Sequence, residues 1–417
     1  MIVDALVASR RTLLLQLLPI VFVAVAHAAF GAHAAAQVQV DADVSAGAPA
    51  SACAVASGRV LTVGPDKSYA LPSAAAAVAQ TGDVIRISAG DYRGDVATWT
   101  ASNLTICAVG GRARLFADGI SAQGKAIWVI AGADAVVEGI EFHGVHVPDR
   151  NGAGIRAEGR NLTVRDSGFF DSDEGMLGGE HGTIVIERCE FARNGFGDGQ
   201  SHNLYIGRAD KLVVTASFFH EAKVGHNFKS RAKETHVENS YFMDGPSGTS
   251  SYLIDAPNGG VVVLRGNLFH KGPNADNPTA IAYGQEGLRW TTNTLELIHN
   301  TVVMTYGGGS FVVAPAGTQS IKLTANLLAG RGGPRLIGGG VPSDAITQQN
   351  NVTAAASSFF DADNVAAPNF WPNASLQARL ALPSVLDATY AEDSPQPFTR
   401  RALGAPARRA GALQRAR

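Results

Sequence analysis

Leu212-Val213-Val214-Thr215-Ala216-Ser217-Phe218-Phe219 is followed by Thr235-His236-Val237-Glu238-Asn239-Ser240-Tyr241-Phe242 and then by Val262-Val263-Leu264-Arg265-Gly266-Asn267-Leu268-Phe269. In each stretch an aliphatic residue precedes a small or amide residue by three positions and Phe by five. The pattern extends in both directions: Val137/Ile140/Phe142, Val164/Ser167/Phe169 and Ile186/Cys189/Phe191 come before, and Leu297/Asn300/Val302, Leu323/Asn326/Leu328 and Thr347/Asn350/Val352 come after. The final residues of successive copies lie 22 to 33 positions apart. A period in that range marks stacked structural repeats.

Apolar and polar residues alternate inside each copy, which is the period of a strand rather than a helix. Turn residues punctuate the intervals, among them Gly175, Gly178, Gly179, Asn194, Gly195, Gly197, Gly199, Gly245, Gly248, Gly259 and Gly260. Such an interval holds three short strands and three turns, one coil of a right-handed parallel β-helix. The expected fold is therefore all-β, a solenoid of roughly ten coils. A β-sandwich does not repeat a three-position signature at fixed spacing. Stacking puts the Phe residues in one inner column and Asn267, Asn300, Asn326 and Asn350 in an amide ladder, with Ser167, Cys189, Ser217 and Ser240 below them.

The chain has 417 residues, 47 of them Gly, with 17% charged residues and a formal net charge of −2. That is enough chain for a large core, and it carries no global nucleic-acid signature. Arg10 and Arg11 precede an apolar run from Leu13 to Ala26, too short for a comfortable membrane span. With small-x-small sites at Ala26-His27-Ala28 and Ala32-His33-Ala34, residues 1–36 read as a secretory signal peptide. Residues 37–58 read as a linker, 59–355 as the β-helix, and 356–417 as a C-terminal cap and basic tail. The Ala-rich stretch Ser73–Ala79 is expected to form a helical cap over the first coil, since a solenoid must cover its open ends. Cys189 falls in the inner column. Cys53 and Cys107 either pair or remain free thiols. The mature chain is expected to be a secreted or periplasmic monomer, off the membrane once its leader is removed.

Aligning the strand before each repeat copy by its inward residue gives Gly154-Ile155-Arg156, Asn203-Leu204-Tyr205, Asn227-Phe228-Lys229 and Tyr252-Leu253-Ile254. Alternation then turns Leu204, Phe228 and Leu253 inward, and Tyr205 and Lys229 outward on adjacent coils. Arg231 shares the face of Lys229, and His202 stacks on His226. Residues 202–236 hold four of the 11 His, together with Arg208, Lys211, Lys223, Lys229, Arg231 and Lys233. In a nearly neutral protein such a patch attracts an anion, and for an exported solenoid an acidic polysaccharide is the expected partner. The competing reading is a solvated face paired with Asp210, Glu221, Glu234 and Glu238.

The chemistry that fits is β-elimination from a uronic acid. Arg231 neutralises the carboxylate, Lys229, with its pKa lowered by neighbouring cations, removes the C5 proton, and Tyr205 or His226 protonates the departing O4. The Lys229 and Arg231 roles are interchangeable at this level. His202, Asn203, Asn227, Arg208, Asp255 and Asn258 are candidate substrate-binding residues. Asp171, Asp173 and Glu174 form a second cluster, and Asp198 and Gln200 precede the His202 strand. Carboxylates grouped this way serve as Ca²⁺ ligands, as a hydrolytic pair, or as ordinary turn residues. Ca²⁺ is thus the one candidate cofactor, and no metal ligand is assigned.

In its repeat over residues 60–355 the chain resembles the pectate-lyase-like β-helix superfamily. The Lys229-Ser230 pair resembles the Lys-Ser of chondroitinase B and the related alginate lyases, a resemblance that implies Lys229 as base. That family has two Glu ligands for Ca²⁺ just before its Lys and an Arg one coil onward. Here Val224, Gly225 and His226 stand before Lys229, and Ile254-Asp255 stands in the next coil, so Arg231 takes the Arg role. The same fold hosts hydrolases, epimerases and non-catalytic surface proteins, so a glycoside hydrolase, a uronate epimerase and a carbohydrate-binding module are the competing readings.

Overall fold

The computed structural model describes residues 51–391 and 403–414. The expected signal peptide and most of the expected linker lie outside the described residues. From Val60 to Ala355 the strands pair in parallel from one turn of chain to the next, building a 21-stranded and a 10-stranded sheet. These long parallel sheets in stacked register are consistent with the right-handed sense that crossover connections favour.

The inner Phe column follows the repeat. Phe142, Phe169, Phe191, Phe219, Phe242, Phe269, Val302 and Leu328 are register partners in succession. The six Phe rings stack 4.4–5.1 Å apart and within 17° of parallel. All are fully buried, and each such ring contributes about 1.5–3 kcal/mol of burial.

The polar column also forms. Asn267, Asn300 and Asn326 bond in sequence, and backbone amides of Cys189, Ser217 and Ser240 donate to the next member's side-chain oxygen. Its last member differs from the expectation: Asn326 donates to Asn351, not Asn350. Leu328 accordingly pairs with Thr353, so the final copy is Gln348/Asn351/Thr353. The reason is the turn. Asp166, Arg188, Ala216, Asn239, Gly266, His299, Ala325 and Asn350 each have φ between 45° and 63° and each precedes a ladder residue. Asn350 supplies this left-handed corner, a conformation Asn tolerates well.

At the N-terminal side, the helix expected over Ser73–Ala79 is a single turn, Pro72–Ala76, with Ala75 and Ala76 buried against the core. Ala52–Val55 forms another turn, and Cys53 bonds to Cys107 in a disulfide. The end of the expected linker is therefore tied into the fold.

The C-terminal segment packs sideways on the coils. Ala356, Phe359, Phe370, Leu376, Leu380 and Ala410 cover the outward residues Phe218, Tyr241, Leu268, Val303 and Leu327, and Ala412 donates its N–H to Thr301. Truncation after Ala355 is expected to expose this apolar face. The measurement is dye binding and melting temperature, with strong binding of a hydrophobic dye and a lowered midpoint as the outcome.

Buried histidines set the pH response of stability. Burial holds His270 and His299 down to about 4, below the ordinary value near 6.5. The unfolded chain therefore takes up protons first, and stability falls as pH drops from 6.5 toward 4. His220 runs the other way: burial opposes its charge, but bonds to Glu190 and Glu221 outweigh burial and raise it. Its contribution is present below pH 6.5 and is lost as pH rises through its raised folded value. Urea midpoints across pH 4–8 are expected to peak just above 6.5 (about the unfolded histidine value), with a shallower acid limb in His270→Gln.

Candidate functional site

The 10-stranded sheet carries the site. Its outward column runs Arg156, Leu177, Tyr205, Lys229, Asp255. Two points of the sequence alignment are corrected here. The coil Glu174–Gly178 lies between Arg156 and Tyr205, and the rung above Lys229 is Asp255 rather than Ile254. Met176-Leu177 is apolar on both faces and so shows no alternation. Leu253-Ile254 offers two apolar residues to align on, and choosing the wrong one shifts the register by a residue. Ile254, not Leu253, continues the column of Phe228.

Tyr205, Lys229, Arg231, Asp255 and Asn258 are brought together. Arg231 is fixed on three sides: its Nε donates to the Tyr205 hydroxyl at 2.7 Å, one Nη to Asn258 Oδ1 at 2.7 Å, and the other to Glu286 Oε2 at 2.6 Å. Lys229 Nζ donates to Glu286 Oε1 at 3.1 Å and lies 3.8 Å from Asp255 Oδ2. Both cations sit over the Tyr205 ring, 5.4 and 5.6 Å from its centroid. Arg231 is thus the cation beside Lys229, and two carboxylates, Glu286 and Asp255, offset the charge of the pair.

His202 and His226 stack 4.7 Å apart at 11°. Each accepts a backbone N–H at Nδ1, from His226 and Tyr252 respectively. An acceptor Nδ1 places the proton of the neutral ring on Nε2, and His226 Nε2 meets Asp255 Oδ2 at 3.2 Å. Burial, then the nearby His226, Lys229 and Arg231, pushes His202 well below the usual histidine value. Its neighbour Glu174 is buried and pushed well above the carboxylate range by desolvation, against the pull of the His202 N–H, Arg156 and Lys229. The second oxygen of Asp255, Oδ1, is buried without a hydrogen-bond partner.

Three candidate binders stand elsewhere. Asn203 and Asn227 are fully buried in a second amide ladder, Asn194–Asn203–Asn227, with Asn203 also bonded to His220 O. Their amides are consumed internally and do not reach the outer face. Arg208 is exposed just past the strand, where its backbone N–H donates to Glu180. The second acidic cluster is dispersed as well. Asp171 pairs with Arg193, Asp173 accepts from Val147 and Gly152, and Asp198 pairs with Arg150. These carboxylates do not converge, so they fit neither Ca²⁺ nor a hydrolytic pair. Among the described residues no group of three or more His, Cys, Asp or Glu is arranged to hold a metal.

Glu286 is not legible as a site residue, and the sequence groups Glu174 with Asp171 and Asp173 rather than with His202. Glu286 comes from the turn Gly284–Gly287, 57 positions beyond Lys229, and its only sequence signal is an acidic residue between glycines after a strand. Between them Lys229 and Arg231 hold one carboxylate, beside a hydroxyl with its own proton to donate.

No family model matches the chain, and no curated protein matches it in sequence. Among solved structures it is similar to pectate lyase Pel9A, with a TM-score of 0.54 and 14% identity over 87% of this chain and 98% of that one. PL6 family alginate lyase AlyGC gives a TM-score of 0.41 at 15% identity, over 72% of this chain and 40% of that one. Pectin methylesterase from carrot gives 0.33 at 14% identity, over 75% and 94%. The Pel9A likeness shows the fold, a pectate-lyase-like parallel β-helix.

Proposed function

We propose that this chain is an exported lyase that cleaves a uronate-containing polysaccharide by β-elimination. One observation carries the reading: Lys229 and Arg231 hold the two oxygens of a single carboxylate beside the Tyr205 hydroxyl. Arg231 neutralises the charge of a substrate carboxylate in that position, which acidifies the adjacent C5 proton. Lys229 takes that proton after giving up its own to solvent. The C5–H electron pair forms the C4=C5 double bond, and the C4–O4 bond breaks. Tyr205 protonates the departing O4. Its oxygen accepts the Arg231 N–H through a lone pair, which leaves the phenolic proton free to transfer. His226 is the weaker candidate acid, because its Nε2–H is directed at Asp255. His202 and Asp255 orient this network, and Asn258 holds Arg231.

The Cys53–Cys107 disulfide supports a secreted or periplasmic location, since disulfides persist in oxidising compartments. Among the described residues no helix is long and apolar enough to cross a membrane. The protein acts as a monomer on an acidic polysaccharide, with no nucleic-acid partner. A panel of pectate, alginate, hyaluronan and chondroitin substrates tests the reading through the ultraviolet absorbance of the unsaturated product. New reducing ends without a double bond would select a hydrolase. Saturable binding without chain cleavage would select a binding module, and sugar inversion an epimerase.

A further inference from the structure

We propose that Glu286 is a built-in competitor for the substrate carboxylate, so that an acidic sugar enters the Lys229–Arg231 site by displacing this side chain. The inference rests on the uronate reading above and adds a residue that sets which anions are accepted.

The contact is bidentate, one oxygen to each cation, at 3.1 and 2.6 Å. That is the geometry a sugar carboxylate would adopt there. The two sides of the contact are unequal. The side chains of Lys229 and Arg231 are 10% and 20% exposed, whereas that of Glu286 is 47% exposed. A half-exposed carboxylate returns to water cheaply, while largely buried cations need a counter-charge. The stable outcomes are therefore Glu286 in place or another carboxylate in its place.

The cations keep their positions without Glu286. Arg231 remains bonded to Tyr205 and Asn258, and Lys229 remains on its strand beside Asp255. The turn that carries Glu286 is anchored by its backbone: Glu286 N–H donates to Pro257 O and Arg289 N–H to Asn258 O, while Asn258 Nδ2 donates to Gly287 O. Exchange then requires rotation of one side chain and no opening of the loop. A tethered competitor acts at high effective concentration. Simple carboxylates lose to it. A uronate oligomer wins by adding contacts of its further sugar units along the outer face of the strands.

The test is calorimetric titration of wild type and Glu286→Gln with trimers of galacturonate, mannuronate and guluronate, and with acetate. The expected result is at least tenfold tighter uronate binding by Glu286→Gln, and acetate binding by the variant alone. Equal or weaker uronate binding by the variant overturns the inference, because Glu286 would then be part of recognition or irrelevant to it. Absence of uronate binding by both proteins overturns it together with the uronate reading. Tighter binding without unsaturated product sinks only the lyase, and unsaturated product with Glu286-independent binding sinks only the competitor. Should Glu286→Gln fail to fold, the Glu286 carboxyl carbon resonance in wild type decides. Arg231 and Lys229 hold this carboxyl below its ordinary range despite partial desolvation. Saturating trimer is expected to move the pH-titration midpoint of that resonance upward, toward the ordinary carboxylate range, and an unmoved midpoint overturns the proposal.

Discussion

Lys229→Ala and Arg231→Ala are each expected to lower the rate of unsaturated-product formation by about 10²–10⁴-fold, with the far-ultraviolet spectrum unchanged. The two losses should differ in kind. Lys229 acts on the proton in flight, so its removal should fall on kcat. Arg231 binds the carboxylate in ground and transition states alike, so its removal should raise KM as well as lower kcat. Arg231→Lys should rescue little, because the three acceptors are spread over three different guanidinium nitrogens, a span that one compact ammonium nitrogen does not match. Undiminished activity in both alanine variants would remove these residues from the mechanism.

Asn203→Ala should produce the opposite pattern, a large loss of stability without a specific loss of sugar binding. The Asn203 amide accepts from Asn194 and donates to both Asn227 Oδ1 and His220 O, all inside the solenoid. Truncation leaves at least two buried polar groups without partners, at about 1–3 kcal/mol each. The expected cost is about 3–5 kcal/mol in urea unfolding. Uronate affinity of the protein that remains folded should be unchanged. A binding defect with unaltered stability would show that Asn203 reaches the ligand after all.

The two amide ladders show what makes a feature legible. Asn267, Asn300 and Asn326 occupy the same position of successive repeat copies, so the period finds them. Asn194, Asn203 and Asn227 are separated by 9 and then 24 positions. The first step joins two corners of the same coil region, and no repeat spacing reveals that. Asn350-Asn351 was ambiguous because either amide satisfies the pattern; the left-handed corner at Asn350 resolves it.

The site was half legible for the same reason. Tyr205 and Lys229 were correctly seen as outward neighbours because Leu204 and Phe228 mark the inward column unambiguously. Asp255 was placed off the rung because two apolar residues precede it. Glu286 joins the site through the path of a turn, and its spacing from Lys229 exceeds two coils.

The sequence by itself determined the strand period, the inner Phe column and most of the first amide ladder. Burial forces inward positions to be apolar or mutually satisfying in every coil, so their identity records their direction. The tertiary structure alone decided which outward groups meet: Lys229 with Asp255, and both cations with Glu286. Solvent-facing positions carry no such compositional mark. The connecting turns also vary in length, and a slip of one residue changes the neighbour.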